Sequence, residues 1–257
     1  MQKNTLPQKI GAFLSLLSPV LVFVLIFLGL ELVIDIFDIP SWLLAKPSDA
    51  VRALSTNSSE IWLNASHTLK EILVGYLIGV SVGIILALIF TSNDWLDRAI
   101  SPYVVFLIVT PQIILVPLLM LWMGFGIQVK IFAVALATFP INMMSTMTGV
   151  RNVDHSRYEL MKSLRATKLQ TFFQVLVPSA LPNVFTGMRL GTIFATTSAI
   201  GAELISGNIG IGPQISYYTE FMMVDVAFAY VYIMILISVT LYALISILES
   251  YVLKKFR

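Results

Sequence analysis

Few residues of this 257-residue chain are of types that catalyse reactions. The chain has no cysteine, which excludes a thiol nucleophile, a disulfide and a thiolate metal site. Its two histidines, His67 and His155, share no spacing typical of metal ligands. A phosphate-binding loop of the form Gly-x4-Gly-Lys-Ser/Thr is also missing. We therefore expect that the chain is not an enzyme and holds no metal or cofactor of its own.

The stretch from 151 to 183 is rich in charge and has the pattern of a helical hairpin. It is too long for a simple connection between bundled helices, which usually takes about 2 to 8 residues. Ser156 and Glu159 have the spacing of a capping box, and Thr167 and Gln170 repeat it. We predict two short helices, roughly 157–165 and 168–177, joined by a tight turn.

Each predicted helix of this hairpin carries one apolar stripe at helical spacing. The stripes comprise Tyr158, Met161, Leu164, Leu169, Phe172, Phe173 and Leu176. The other faces carry Arg157, Lys162, Arg165 and Lys168. One side can therefore be buried on the rest of the chain or on a partner. Pro178 and Pro182 are expected to end the second helix.

Long apolar segments must hold this hairpin in place. Hydrophobic residues make up 58% of the chain and charged residues 12%, against about 25% charged in a soluble domain. A helix needs roughly 20 mostly apolar residues to cross a bilayer core. The intervals between charges predict six spans within a single domain, 1–257. They lie at roughly 11–34, 70–91, 102–123, 130–150, 184–206 and 226–248.

Two features near the N-terminus complete this organisation. Residues 1–30 are also compatible with a signal peptide, but the apolar run is longer than usual and no cleavage pattern follows it. We therefore interpret them as part of the first span. Between the first two spans, residues 40–70 contain an amphipathic stretch that predicts a helix on the outer surface. Gly75, Gly79 and Gly83 form a small-residue face on the second span, which predicts a close helix contact within the subunit or across a dimer.

Lysine and arginine are distributed unevenly among the segments between the spans. One set of flanks holds most of them, including both termini and the 151–183 stretch, while the other set holds only Lys46, Arg52, Lys70 and Lys130. Basic residues favour the cytoplasmic side. Both termini and the predicted hairpin are therefore expected in the cytoplasm.

Several polar or helix-breaking residues lie in the predicted spans or at their ends, and each has two interpretations. Pro111 and Pro117 form a gating bend or a plain kink. Thr196 lines a translocation path or bonds to its own helix backbone. Glu203 contacts substrate or makes a structural hydrogen bond, which we favour. Gly210 belongs to a glycine-rich gating loop, 206–213, or to a featureless turn.

Arg189 interrupts the fifth predicted span near its cytoplasmic end. Its long side chain can reach the membrane interface, where the charge stays hydrated. The alternative is a buried contact that fixes this span to the hairpin.

Motifs along the chain resemble the EAA signature of the permeases of ATP-binding-cassette (ABC) importers. The similarity is carried by Glu159-Leu-Met, Ala166-Thr167, Val177-Pro178-Ser-Ala-Leu-Pro182, Thr186-Gly187-Met-Arg189 and Ala202-Glu203, in that order and spacing. The segment from Pro111 to Gly126 is also similar to the third span of the nitrate, sulfonate and taurine branch. The resemblance covers about 70–215, and more loosely the whole chain.

This resemblance implies a type I importer fold, with six transmembrane helices and a cytoplasmic hairpin of coupling helices. It also implies a homodimer in a bacterial or archaeal cell membrane, two ABC ATPase subunits that bind ATP and magnesium, and an extracytoplasmic solute-binding protein. The family's ATPase-coupling positions correspond to Glu159, Leu160, Met161, Arg165, Ala166 and Thr167. The solute it implies is a sulfonate, taurine or nitrate, or a thiamin-pyrimidine precursor.

The sequence departs from the family pattern at the turn of the hairpin. Leu160 and Met161 replace small residues, and Arg165 replaces the usual glycine. Either Arg165 adopts a strained left-handed conformation or the turn differs.

Two other functional classes remain as alternatives. A secondary transporter driven by an ion gradient should have inverted repeats and intramembrane acid or base relays, for which only Arg189 and Glu203 are available. An intramembrane enzyme should have a nucleophile or paired carboxylates within a span.

Overall fold

The computed structural model describes the backbone of residues 6–207 and 209–255 and the side chains of 21–207 and 209–254, apart from those of His155 and Lys168. Every regular element in these ranges is helical, which confirms the predicted all-α fold class. The α-helices are α1 (Leu6–Ile36), α2 (Pro47–Thr56), α3 (Ser58–Phe90), α4 (Asp94–Val109), α5 (Val116–Met123), α6 (Ile127–Arg151), α7 (His155–Ser163), α8 (Lys168–Thr171), α9 (Val177–Ser206), α10 (Ile211–Glu220) and α11 (Val224–Lys255). A 3-10 turn, Gln112–Leu115, precedes α5, and a π-helical segment, Phe172–Leu176, precedes α9.

The chain forms two compact units, and the first comprises Met1–Ile61 with Ile215–Val231. In this unit the Glu60 carboxylate accepts hydrogen bonds from the hydroxyls of Tyr218, at 2.9 Å, and Tyr230, at 3.2 Å. Burial, together with Glu60, raises the pKa of Tyr218 to about 12. The phenol therefore stays protonated and remains a hydrogen-bond donor.

The second unit, Trp62–Gln214 with Tyr232–Arg257, is built around α6 and α9. Gly75, Gly79 and Gly83 let α3 approach α6 so closely that an added Cβ at any of them would overlap α6 atoms. The predicted small-residue contact is thus confirmed, and it lies within the subunit. Ile72, Tyr76, Val80, Val134, Ala195 and Ala199 form the buried core where α3, α6 and α9 meet.

The apolar lengths of the helices agree in part with six predicted spans. Among the described residues, α3, α6 and α11 are each long and apolar enough to cross a membrane. The α4 and α5 helices pass the same test only together and are bent by 83° at their junction, which fits either the broken span predicted at 102–123 or a re-entrant loop. In α1, which contains the predicted span 11–34, the side chains before residue 21 lie outside the described part. The number of spans therefore remains a prediction.

Several helices extend beyond their predicted spans, as the second and the fifth show. The second begins at Ser58 rather than near residue 70, so α2 and the first turns of α3 occupy the region predicted as one outer helix. The fifth begins at Val177 rather than near 184. Both differences arise because a helix can continue past its apolar stretch, whereas the spacing of charges measures only that stretch.

Candidate functional site

The predicted hairpin is present in the second unit, as α7 and α8. Its first helix begins earlier than predicted, at His155, because Asp154 is the N-cap and its Oδ1 accepts a hydrogen bond from Ser156 N at 3.0 Å. The predicted capping box at Ser156 and Glu159 is therefore wrong. Asp is as good an N-cap as Ser, and Asp154, which comes two residues before Ser156, starts this helix. Glu159 lies at an exposed position in the middle of α7.

Arg165 occupies the left-handed position of the turn, with φ of 52°. Ala166 N donates to Met161 O at 2.9 Å, and Arg165 N donates to Lys162 O at 3.0 Å. This pair of bonds defines a Schellman cap. The turn thus has the geometry that glycine favours, and Arg165 adopts it at a cost of roughly 1 to 2 kcal/mol. Of the two alternatives left open by the sequence, the structure has the strained one.

The second capping box is confirmed. Thr167 N donates to Gln170 Oε1 at 2.8 Å, and Gln170 N donates to Thr167 Oγ1 at 3.3 Å. This reciprocal pair satisfies two backbone donors at the start of α8. With the cap at Arg165, it fixes both sides of a turn only a few residues long.

The expectation that Pro178 and Pro182 end the second helix is wrong. α8 continues through the π-helical segment into α9, so both prolines lie within a continuous helical stretch. In the π-helical segment Val177 N donates to Phe172 O, five residues earlier. This wider turn directly before Pro178 relieves the clash between the proline ring and the preceding turn.

The apolar residues of the hairpin separate into a buried and an exposed group. Met161 and Val175 are buried, and Tyr158, Phe172 and Leu176 are half-buried. Leu160, Leu164, Leu169 and Phe173 are each exposed by 59–69%. The predicted stripe therefore lies only partly against the chain itself, and the exposed group is available to a partner.

A cavity of about 540 Å³ lies beside the hairpin, lined by residues of α3, α6, α7 and the π-helical segment. Tyr158, Lys162 and Phe172 line it from the hairpin, and Leu88 and Val150 line it from the spans. Burial raises the pKa of the Tyr158 hydroxyl, so the side chain stays neutral. The cavity leaves space between the hairpin and the ends of α3 and α6.

The structure brings Glu203 and Gly210 together at the other end of α9. Glu203 is fully buried, and it accepts hydrogen bonds from Thr68 Oγ1 at 2.6 Å and from Gly212 N at 2.7 Å. Gly210 has φ of 131°, and an added Cβ would overlap the Glu203 carboxylate. These are structural hydrogen bonds of the kind that the sequence favours for Glu203.

The sequence does not predict that two charged residues meet in the interior beside Glu203. Lys130 Nζ donates to Glu71 Oε1 at 3.0 Å and to Ile209 O at 2.6 Å. Lys130 is 5% exposed and Glu71 is 1% exposed. The sequence places them at the ends of the predicted spans 70–91 and 130–150, because isolated charges mark the ends of apolar runs. Asn64 and Thr68 accept hydrogen bonds from Gly210 N and Ile211 N. Nothing in the sequence distinguishes these two residues from ordinary polar side chains.

The remaining predicted path residues occupy different places. Pro111 lies at the bend between α4 and α5, and Pro117 is in the first turn of α5. Thr196 is buried, and its hydroxyl bonds to the backbone carbonyls of its own helix, as in the alternative interpretation. Arg189 forms an ion pair with Glu249 at 2.6 Å, so it joins α9 to α11 rather than to the hairpin.

Comparisons with known proteins agree with the motifs. Residues 79–257 match the family described as "Binding-protein-dependent transport system inner membrane component". The formylaminopyrimidine transport permease protein ThiX of Halalkalibacterium halodurans is 30% identical over 92% of this chain and 95% of its own. The taurine transport system permease protein TauC of Escherichia coli is 31% identical over 69% of this chain and 65% of its own.

The fold is also similar to that of a solved transporter. A chain in a crystal structure of an amino acid ABC transporter superposes with a TM-score of 0.61 at 18% identity, covering 79% of this chain and 96% of that one. These comparisons do not favour a secondary transporter. Permeases of this family are multi-pass membrane transport subunits that work with an ATPase and a binding protein. The match to the family extends over more than half of the sequence, and the chain belongs to this family, the permease subunits of ABC importers.

Proposed function

We propose that two copies of this chain form the translocation path for a small solute, which an extracytoplasmic binding protein delivers. One copy supplies one wall of such a path, and a second copy encloses it. In this arrangement two ATPase subunits bind ATP and magnesium, and the permease holds neither.

The observation that carries this proposal is the rigid hairpin with its exposed apolar side chains. Leu160, Leu164, Leu169 and Phe173 present a surface that a groove in an ATPase subunit would cover. Glu159 lies in α7 next to Leu160 and would meet a cationic group there. Local caps on both sides of the turn keep the hairpin stiff, so that it moves as a body when the ATPase moves.

The orientation is part of the same proposal. An ATPase that uses cellular ATP requires the hairpin to face the cytoplasm, and the abundance of lysine and arginine on that side supports this orientation. Both termini would then lie in the cytoplasm, and the loop between α9 and α10 would lie at the outer side of a bacterial or archaeal membrane.

For the solute we propose a small organic molecule of the kind named for the relatives, either a sulfonate such as taurine or a formylated aminopyrimidine. Nitrate, which the sequence resemblance also suggested, is a further member of this set. Uptake of labelled taurine, nitrate and formylaminopyrimidine by cells with and without the permease distinguishes these solutes.

The coupling proposal is tested by reversing the charge of Glu159. The chain is co-expressed with its ATPase, and the Glu159→Lys variant is expected to lose ATPase assembly or uptake driven by ATP. Glu220→Lys, a reversal at an exposed position of α10, is the matched control and should leave assembly intact. Normal assembly and normal uptake in Glu159→Lys would refute the role of Glu159, and failure of the wild-type chain to bind any ATPase would refute the proposed function.

A further inference from the structure

Three ionisable side chains meet in the interior of the second unit, one from each of the helices α3, α6 and α9. Glu71, Lys130 and Glu203 are exposed by only 1%, 5% and 0%. Among the residues that the structure describes, Lys130 is the cation that acts on both carboxyl groups, and its Nζ lies 3.0 Å from Glu71 Oε1. We call these three residues the buried triad.

The charges of the buried triad do not balance if all three groups are ionised. One lysine compensates one carboxylate, so a second carboxylate would leave one negative charge without a counter-charge. Burying such a charge costs far more free energy than burying a neutral acid, and a carboxyl group in this position keeps its proton instead. The charge count therefore calls for one proton on the two acids.

The contact between the two acids leads to the same conclusion. The carboxyl groups of Glu71 and Glu203 lie within hydrogen-bonding reach of each other. An ionised carboxylate only accepts hydrogen bonds, so two of them have no hydrogen to share. Two carboxyl groups that occupy one site cannot both ionise easily, because their like charges repel. A hydrogen bond between them forms when one of the two is protonated.

One oxygen of the pair shows where the proton is needed. Glu203 accepts hydrogen bonds from Thr68 Oγ1 at 2.6 Å and from Gly212 N at 2.7 Å. Glu71 Oε1 accepts from Lys130 Nζ, but Glu71 Oε2 is buried, and no donor in the described part of the chain bonds to it. Buried polar atoms of native proteins are nearly always hydrogen-bonded. A proton on Glu71 Oε2 that is donated to Glu203 turns this orphan atom into a donor.

We infer that Glu71 and Glu203 bind one proton between them in the folded protein, so that the buried triad has no net charge. The site is made by the Glu71 carboxyl group and the Glu203 carboxylate, and its ligand is a proton. Lys130 compensates the one negative charge that the pair retains. The inference concerns the folded core and does not depend on the proposed function.

Infrared spectroscopy of the full-length permease in neutral buffer tests the inference directly. A protonated carboxyl group has a carbonyl stretch above the amide band, which a carboxylate lacks. We expect this band in the wild-type protein, and Glu71→Gln should remove it, because the remaining Glu203 then ionises beside Lys130. Glu220→Gln, at an exposed position of α10, is the matched control and should leave the band unchanged.

Melting temperatures of the same variants test the charge count. Glu71→Gln should melt close to the wild type, because the amide N–H replaces the proton as donor to Glu203 and the triad stays neutral. The double variant Glu71→Gln/Glu203→Gln leaves Lys130 without a carboxylate, and it should melt lower by roughly 10 °C. Glu220→Gln should again change little.

Two results would overturn the inference. The first is a wild-type spectrum without the band, or a band that persists in Glu71→Gln, and the wild-type measurement decides this even if a variant does not fold. If the band is absent and replacing sodium with choline lowers the melting temperature, a metal cation rather than a proton lies between the carboxylates. The second is a Glu71→Gln variant that melts as low as the double variant, which would mean that Lys130 needs a full charge on Glu71.

Discussion

The α7–α8 hairpin and the α9–α10 loop are both short connections of the second unit, and they become rigid in opposite ways. The hairpin is fixed by local contacts: an N-cap at Asp154, a Schellman cap at Arg165 and a capping box at Thr167. The loop is fixed by side chains that are distant in sequence, such as Lys130 and Asn64. Local caps fix the hairpin through its own residues, whereas the loop is fixed only where the helices around it are in place.

The largest effect is expected from breaking the contact that joins the loop to a buried ion pair. Lys130→Met leaves the Glu71 carboxylate buried and uncompensated, which should lower the free energy of unfolding by about 3 to 5 kcal/mol. Thermal unfolding in detergent measures this loss. The double variant Lys130→Met/Glu71→Leu should recover most of it, and Lys162→Met, at an exposed lysine of the hairpin, should change little. An unchanged melting temperature in Lys130→Met would show that the pair contributes nothing.

A smaller loss is expected when the loop no longer fits. Gly210→Ala introduces a side chain at positive φ and against Glu203, which should cost about 1 to 3 kcal/mol. Faster exchange of residues 207–213 should accompany the loss. Gly29→Ala is the control, because nothing lies within 4 Å of the added Cβ there, and alanine favours a helix. Equal effects of the two substitutions would contradict the described fit.

The caps of the hairpin should contribute less. Asp154→Ala removes the N-cap of α7 and should destabilise the hairpin by about 1 kcal/mol. Ser156→Ala should have little effect, since the Ser156 side chain is not the cap. Hydrogen exchange of the α7 amides measures both changes. The opposite order would restore the capping box that the sequence predicted.

The smallest effect is a gain. Arg165→Gly relieves the left-handed strain of the turn, and glycine's larger unfolded-state entropy offsets part of this relief, which leaves a stabilisation of at most about 1 kcal/mol. Slower exchange of Ala166 N, the last donor of the Schellman cap, is the measurement. Arg165→Ala retains the strain and serves as the control. A destabilised turn in Arg165→Gly would mean that the arginine side chain itself holds the hairpin.

The same contrast explains how much could be predicted from the sequence. The Thr167 capping box and the glycine face of α3 depend on residues a few positions apart, and the sequence predicts both. The family motifs led to the correct fold class for the same reason. Lys130 and Glu71 are 59 residues apart, and nothing in either neighbourhood indicates that they meet in the interior. Their charges were interpreted as ends of spans because a charge without a visible partner is normally exposed to water.

Predictions of helix starts and ends were also wrong where neighbouring residues favoured different boundaries. Asp154 and Ser156 are both good caps, and the sequence alone does not decide which of them starts the helix. Pro178 normally ends a helix, but a wider turn before it removes the conflict. Helix boundaries therefore depended on choices between neighbouring residues, whereas the existence of the hairpin did not.

The π-helical segment determines the direction in which α8 faces around the helix axis that it shares with α9. Its backbone continues from α8 into α9, so the second arm of the hairpin and α9 form one continuous helical stretch. The segment also holds the equivalent of one inserted residue. Deleting a residue between 172 and 176 would restore regular α-helix and rotate α8 by about 100° around that axis. The side of the hairpin shown to a neighbouring subunit is thus decided by a single backbone insertion, independently of which side chains the hairpin carries.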